Sequence, residues 1–598
     1  MAHEDSAQGI AWDLSDLYNG HDDGRIVGDL DAALAAAQAF AARYRGAIDV
    51  PGGPTAATVA EAVAAMEAIL EQAARAGAYA ELLHAADTTP PERGALVALT
   101  QERMSAVRQQ LIFFELEWLA VDETVAEQIL SDPACAKHRH FLKGLRRYRP
   151  HIRTEPEEKI LEEKSNTGAR AFARLFDEVV SALAFAVEID GTRRQMSESE
   201  VLALLYDPRR EVRRAAAEAL TRGLRDNQLV LGFVFNTLIQ DHAVDDRLRA
   251  YADPMAARHL ANEISGDTVH ALMQACEAQH ALVQRYYRLK SRLLGVVPLA
   301  DYDRYAPVAA ADTTVSWPRC REVVLAAYGA FSPRLRDIAE LFFERRWIDA
   351  ELRHGKRGGA FSSSVVPSVH PYVLVNYSGH LHDVMTVAHE LGHGVHQYLS
   401  RAQGYLQADA PLTMAETASV FGEMLVFEHL LRELDDPRQR LGLLCHKIED
   451  TIATVFRQVA LTRFEQALHG ERRARGELSR ERICALWHDA NTALYGDAVA
   501  LTDDYRWWWA YIPHFVHTPF YCYAYSFGEL LVLALHEMYR REGAAFVPKY
   551  LALLSAGGSD TPQNLLLRLG VHIDDPHFWQ LGLEPFIRLI EEAERLAG

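Results

Sequence analysis

Three histidines and two glycines fall within eight residues of "TVAHELGHGVHQYLS", Thr386 to Ser400. Glycine costs a helix interior roughly 1 kcal/mol relative to alanine, and histidine is a mediocre helix former. Something other than helix stability selected these residues. In "HELGH", His389 and His393 are i and i+4, which puts both rings on one helix face a turn apart. Two imidazole nitrogens so placed bind one tetrahedral Zn²⁺, and Glu390 is set to reach a water on the metal rather than the metal itself. Zinc draws the pKa of such a water toward about 7, and a carboxylate removes its proton during attack. The flanking Val384, Val387, Ala388, Leu391 and Val395 are apolar, so the helix is expected to be buried. Two buried histidines and a glutamate without partners would be costly. Gly392 and Gly394 allow close backbone approach. His396 is displaced from the His389–His393 face and reads as a supporting or structural residue, and His380 and His382, ahead of the helix, carry less signal.

A third protein ligand leaves one coordination position open. Its source is "APLTMAETASVFGEMLVFEHLL", Ala410 to Leu431, which reads as one helix with Glu416, Ser419 and Glu423 on a shared face. Thr413 and Glu416 also make the T-x-x-E of a capping box, and Glu423 competes as ligand. Spacing alone leaves the two glutamates even. A second group of polar side chains lies in "DDYRWWWAYIPHFVHTPFYCYAYSFG", Asp503 to Gly528. Trp507, Trp508, Trp509 and Phe520 read as core aromatics. His514, His517, Tyr521, Tyr523 and Tyr525 each carry a polar group that needs a partner if buried. A phenol or imidazole is also the donor that steadies an oxyanion, worth a few kcal/mol.

The elements that must position these residues are mostly helices. "DLDAALAAAQAFAARYRGAI", "AATVAEAVAAMEAILEQAARAGAYAELLHAA" and "ERGALVALTQERMSAVRQQLIFFELEWLAV" repeat apolar residues at i, i+3, i+4 and i+7. "ALAFAVEIDGTRRQM" alternates around "IDGT" and predicts a short hairpin. Ser197 and Glu200 then predict a capping box at the start of the next helix. A boundary is set there, giving residues 1–200 as an N-terminal helical lobe and 201–598 as the catalytic helical domain. The other break, Gly355 to Gly379, is rich in Gly, Ser and Pro before turning β-branched in "PYVLVNY". It predicts a mobile loop followed by one strand that leads into the HELGH helix.

With 49% hydrophobic and 24% charged residues the chain has material for a large core. A net charge of -20 opposes binding to a nucleic-acid backbone. The six cysteines are far apart, with no CxxC pair, and free thiols suit a reducing compartment. The acidic N-terminus lacks an apolar signal core, and no long apolar run reads as a membrane span. The expectation is a cytoplasmic protein with no membrane contact.

"VLVNYSGHLHDVMTVAHELGHGVH", "AETASVFGE" and "IPHFVHTPFYCYAYSFGELL" together resemble the oligoendopeptidase F branch of the thimet-oligopeptidase-like zinc metallopeptidases. "WDLSDLY", "GKRGGAF" and "YLALLSAGGSDTP" followed by "GVHIDDPHFW" match that branch too. The resemblance implies a mainly α, two-lobed enzyme with a deep central channel and a small β element beside the active-site helix. It implies one Zn²⁺ per chain, short peptides as substrates and, mildly, a monomer. By its pattern His389, His393 and Glu416 are the metal ligands, Glu390 the general base and Glu423 a partner of a ligand imidazole. Tyr521 and His517 rank first for transition-state contact, with His514, Tyr523, Tyr525, Gly358 and Gly359 meeting substrate. "PYVLVNY" is expected to offer an edge to an extended peptide.

Three rivals compete. A helical HExxH carboxypeptidase would need a cation for the terminal carboxylate. A di-metal carboxylate oxidase uses ExxH pairs, and Glu81–His84, Glu277–His280 and Glu390–His393 have that spacing. Those pairs lie far apart in sequence, however, and His389 is left unexplained. A catalytically dead peptide-binding scaffold does not require an intact HExxH.

Overall fold

The computed structural model describes residues 6–308 and 314–598. The first five residues of the acidic N-terminal segment lie outside the described residues. Contacts gather the chain into two compact units, each assembled from three stretches. The first unit takes 1–149, 312–433 and 538–572; the second takes 150–311, 434–537 and 573–598.

The first unit opens with three long helices, α1 (Gly24–Tyr44), α2 (Ala56–Ala86) and α3 (Pro91–Ala120). Asp23 caps α1 by accepting from the Arg25 amide, and Thr55 caps α2 through the Thr58 amide. Fully buried alanines, Ala33, Ala37, Ala62 and Ala73 among them, let the helices close on Phe114 and Trp118. The Trp118 indole donates to the Leu142 carbonyl at 3.0 Å, so its one polar atom is satisfied.

The second unit holds, after its first helical stretch, α4 (Ala169–Ala182) and the predicted hairpin, β1 (Phe185–Ile189) antiparallel to β2 (Thr192–Met196). Asp190 (φ 52°) and Gly191 (φ 73°) occupy its two-residue turn, the conformation that "DG" favours. The Ser197–Glu200 capping box follows as expected. Helices α5 (Arg210–Asp226) and α6 (Gln228–Arg249) then pack over a core that contains Trp487, Trp508 and Trp509.

The chain next returns to the first unit with α7 (Trp317–Phe331) and a three-stranded sheet of β3 (Ile348–Asp349), β4 (Phe361–Ser363) and β5 (Tyr372–Leu374). The order is β3-β5-β4, with β3 parallel and β4 antiparallel to β5. This corrects two expectations. The loop holds a strand of its own, and "PYVLVNY" supplies the centre of the sheet, with β3 and β4 as its edges. The cause is β3, a two-residue strand too short to leave a periodic signature.

Beyond the sheet come α8 (Leu381–Ser400), α9 (Leu412–Ala415) and α10 (Ser419–Glu433). The second unit continues with α11 (Arg457–Arg475), α12 (His514–His517) and α13 (Tyr523–Glu542). The last stretch of the first unit holds α14 (Phe546–Ala556) and a short helix at Pro562–Leu567. No helix among the described residues is long and apolar enough to cross a membrane. All six cysteines are free and buried.

Candidate metal centre

Helix α8 is buried along most of its length, with Val384, Val387, Ala388 and Leu391 fully enclosed. Its entry is fixed by Asp383, whose carboxylate accepts from the Ser378 and His380 amides. The Tyr328 hydroxyl, from α7, donates to the Ala388 carbonyl at 2.6 Å, one residue before His389. Gly422 on α10 leaves the room for that hydroxyl, which would lie 2.2 Å from a Cβ there.

His389 and His393 project from α8 with ring centroids 5.0 Å apart. Glu416 meets both: its Oε2 lies 3.3 Å from His389 Nε2 and 3.5 Å from His393 Nε2. One ligand atom from each of the three lies within 4.8 Å of the others. The three side chains are only partly covered, whereas Glu390 is 8% exposed. Two imidazole nitrogens and one carboxylate oxygen are a donor set suited to a divalent ion with a position left open. Among the described residues this is the only group of three His, Cys, Asp or Glu side chains able to hold a metal ion.

Glu416 does not sit where a helix pattern puts it. The expected single helix from Ala410 to Leu431 is broken: α9 ends at Ala415, residues 416–418 form a turn, and α10 starts at Ser419. Thr413 lies inside α9 and is fully buried, so no T-x-x-E capping box forms. The turn is held from several sides. The Tyr550 hydroxyl on α14 donates to the Thr417 carbonyl at 2.8 Å, and the Ser419 hydroxyl donates to Glu416 Oε2 at 2.6 Å. Gly392 of α8 faces the same turn, where a Cβ would lie 2.4 Å from the Ala418 carbonyl oxygen. Backbone therefore packs on backbone between the helix that carries the histidines and the turn that carries the carboxylate.

Glu423, one turn into α10, places Oε2 3.4 Å from His389 Nδ1. The two glutamates that spacing could not separate thus address opposite nitrogens of one imidazole. Burial resists a charge on His389, but the carboxylates of Glu416 and Glu423 outweigh it and favour protonation in the ion-free ring. Burial raises Glu416 while the two imidazoles pull it down further, leaving it ionised. Burial is also the largest influence on Glu390, pushing it up to about 7 against the pull of His389. His396 lies on the enclosed side of α8, where burial lowers it to about 4 and keeps it neutral.

The glycine-rich segment is stitched to the sheet by Lys356. Its ammonium pairs with Asp349 at 2.7 Å and donates to the Val375 carbonyl at 2.7 Å. Asn376 donates to the Gly359 carbonyl at 2.8 Å, and Gly359 takes φ 78°. A Cβ at Gly358 or Gly359 would meet nothing within 4 Å, so both face open space.

In the second unit, the histidine and tyrosine segment divides into three environments. His514, Tyr521 and Tyr525 form one cluster. The rings of His514 and Tyr521 are 6.3 Å apart and nearly parallel, Tyr525 stands edge-on to Tyr521 at 5.1 Å, and the Tyr525 hydroxyl is 3.1 Å from His514 Nε2. His517 turns elsewhere: its Nε2 is 2.8 Å from Asp177 on α4, and its ring meets Phe176 edge-on. Tyr523 is 0% exposed, its hydroxyl taken by Asn262 at 3.0 Å and His259 at 3.1 Å. The hydroxyl of Tyr523, read from the sequence as a substrate contact, is thus engaged inside the second unit. These partners lie far away in sequence, which is why the segment itself could not separate the three. Trp508, Trp509 and Phe520 are core residues as read.

The helical architecture and this donor set define a class, the metal-dependent hydrolases of HExxH type. The pattern of peptidase family M3 matches residues 203–584, and a second pattern, described as oligopeptidase F, matches residues 117–185. The chain belongs to peptidase family M3 and is a metallo-endopeptidase. It is 30% identical over 494 residues to an oligoendopeptidase F homolog of Lactococcus lactis, covering 81% of each chain. It is 26% identical over 542 residues to oligopeptidase PepF of Bacillus subtilis, covering 90% of this chain and 80% of that one. A solved structure from Chlamydophila abortus superposes with a TM-score of 0.89 at 24% identity over 98% of both chains. Oligoendopeptidase-F from Enterococcus faecium gives 0.71 at 23% identity, covering 96% of this chain and 98% of that one. These two likenesses establish the fold.

Proposed function

We propose that the protein is a zinc-dependent endopeptidase that cleaves internal bonds of short oligopeptides. The observation that carries this reading is the convergence of His389, His393 and Glu416 beside the enclosed carboxyl of Glu390. The first three residues hold Zn²⁺, and Glu423 steers the His389 ring through Nδ1. When bound, the ion supplies a Lewis acid that polarises the scissile carbonyl and makes water more acidic near neutral pH. Glu390 takes the proton of the attacking water and hands it to the leaving nitrogen. Tyr521, grouped with His514 and Tyr525, donates to the developing oxyanion. His517 takes no direct part, because its ring is engaged with Asp177.

The substrate extends along the edge of β4, which packs on α8, with the Ser362 amide facing Glu390. The open Gly358–Gly359 turn admits its backbone. No acyl-enzyme forms, and the buried cysteines are not nucleophiles. Free thiols suit a reducing compartment, which supports a cytoplasmic enzyme acting on peptides there. Residues 1–200 and 201–598 are read as the two sequence modules, supported by family matches that end at 185 and begin at 203.

The test is mass spectrometry of a ten-residue peptide incubated with the protein, with a chelated sample and zinc add-back beside it. Internal cleavage that is lost on chelation and restored by zinc is the expected result. Release of single C-terminal residues would replace this reading with a carboxypeptidase. Absence of cleavage across varied peptides, with zinc bound, would remove the peptidase reading of this site. Glu423→Gln keeps the shape but weakens the acceptor on His389 Nδ1. It is expected to lower zinc affinity by about 10- to 100-fold, as measured by competition with a zinc-binding dye.

A further inference from the structure

The peptide unit that joins Pro519 to Phe520 is held at both of its polar atoms. The Pro519 carbonyl accepts from Arg258 Nε at 3.2 Å, and the Phe520 amide donates to Glu465 Oε1 at 2.8 Å. Phe520 takes φ 60°, the left-handed region that a bulky side chain avoids. Such a conformation persists only where its surroundings impose it. Its ring is fully buried against His469 at 4.7 Å and His242 at 5.9 Å.

Glu465 is a poor choice for stability. It lies on α11, 1% exposed, and its Oε2 has no hydrogen-bond partner. A carboxyl buried on a single donor is unfavourable, and burial pushes its pKa up to about 8. An apolar residue would fill the space at less expense of solvation. What an apolar residue lacks is an acceptor for the Phe520 amide.

The next residue is Tyr521. Its amide donates to the Thr518 carbonyl at 3.1 Å, closing the turn, and the Arg258 guanidinium lies 5.8 Å over its ring. The direction in which Tyr521 leaves the backbone follows from the Phe520 conformation, and with it the stacking on His514 and the edge contact with Tyr525. We infer that Glu465 and Arg258 are positioning residues that clamp the Pro519–Phe520 peptide and so aim the Tyr521 hydroxyl at the transition state. The inference rests on the proposed role of Tyr521.

The experiment compares Glu465→Gln, which retains an acceptor, with Glu465→Leu, which has none, each alone and with Tyr521→Phe. Glu465→Leu should lower kcat about 10-fold or more with KM changed less than about 3-fold, the pattern of a contact made only in the transition state. Glu465→Gln should stay within about 3-fold of wild type in both parameters. In the Tyr521→Phe background Glu465→Leu should add little, because coupled residues are not additive. Hydrogen exchange at the Phe520 and Tyr521 amides should quicken in Glu465→Leu and not in Glu465→Gln. Unchanged exchange in Glu465→Leu, or a Gln variant as damaged as the Leu variant, overturns the clamp. Full activity of Tyr521→Phe alone would instead overturn the role given to Tyr521, while the exchange measurement still decides the clamp. Should Glu465→Leu not fold, Arg258→Met removes the other half and is read the same way.

Discussion

Glu390→Gln is expected to lower kcat/KM on oligopeptides by roughly 100- to 10,000-fold, the usual span for losing a general acid–base group. Zinc content and Tm should stay at wild-type values. Gln matches Glu in shape, and position 390 is 8% exposed, so the enclosure that holds the side chain is preserved. None of the three ligand atoms belongs to residue 390. What the substitution removes is a site that gains and releases a proton beside the attacking water. Burial fits Glu390 for this, since it raises the carboxyl well above its ordinary range before any ion is considered. A divalent cation held by His389 favours the ionised form again. The checks are peptide turnover, metal content by mass spectrometry and thermal unfolding on the same preparation. Retention of more than half the wild-type activity with zinc bound would place the base elsewhere.

That residue was legible because its signal is local. His389, Glu390 and His393 depend only on helical periodicity, and α8 forms as the flanking apolar residues require. The hairpin at Asp190–Gly191 and the Ser197–Glu200 capping box were legible for the same reason, since turn and cap chemistry act over a few residues. Glu416 was half legible. Its residue type and neighbourhood suggested a ligand, but the break in the helix at 416–418 is imposed from outside, by Tyr550 and the backbone of α8. The centre and edge of the small sheet were hidden by β3, whose two residues carry no pattern. Phe520 runs against local rules, since a turn that needs a positive φ ordinarily selects glycine or asparagine. Its clamp comes from Arg258 and Glu465, residues that nothing in the "IPHFVHTPFY" stretch announces.

The second large effect follows from the contact between α8 and the Glu416 turn. Gly392→Ala is expected to weaken zinc binding by at least about 10-fold and to destabilise the protein by about 1–3 kcal/mol, the range for overpacking a tight contact. Helix propensity predicts the opposite sign, a gain of roughly 1 kcal/mol for alanine over glycine. Position 392 reverses it because a Cβ would lie 2.4 Å from the Ala418 oxygen, 2.5 Å from the Ser419 Cα and 2.8 Å from the Ala418 carbonyl carbon. All three atoms are backbone and cannot rotate away. Relief requires α8 and the turn to separate by about 1 Å, the shortfall between 2.4 Å and an ordinary contact near 3.4 Å. Glu416 stands two residues before Ala418, so that separation draws its carboxylate away from the two imidazoles. A metal site tolerates displacements of only about 0.5 Å before affinity suffers. Gly470→Ala on α11 is the matched control, because a Cβ there meets nothing within 4 Å and the position is exposed. It should raise stability by up to about 1 kcal/mol. Urea unfolding and zinc titration of both variants decide the matter. If Gly392→Ala stabilises as Gly470→Ala does, with zinc affinity intact, then close backbone approach is not what sets the spacing of the ligands.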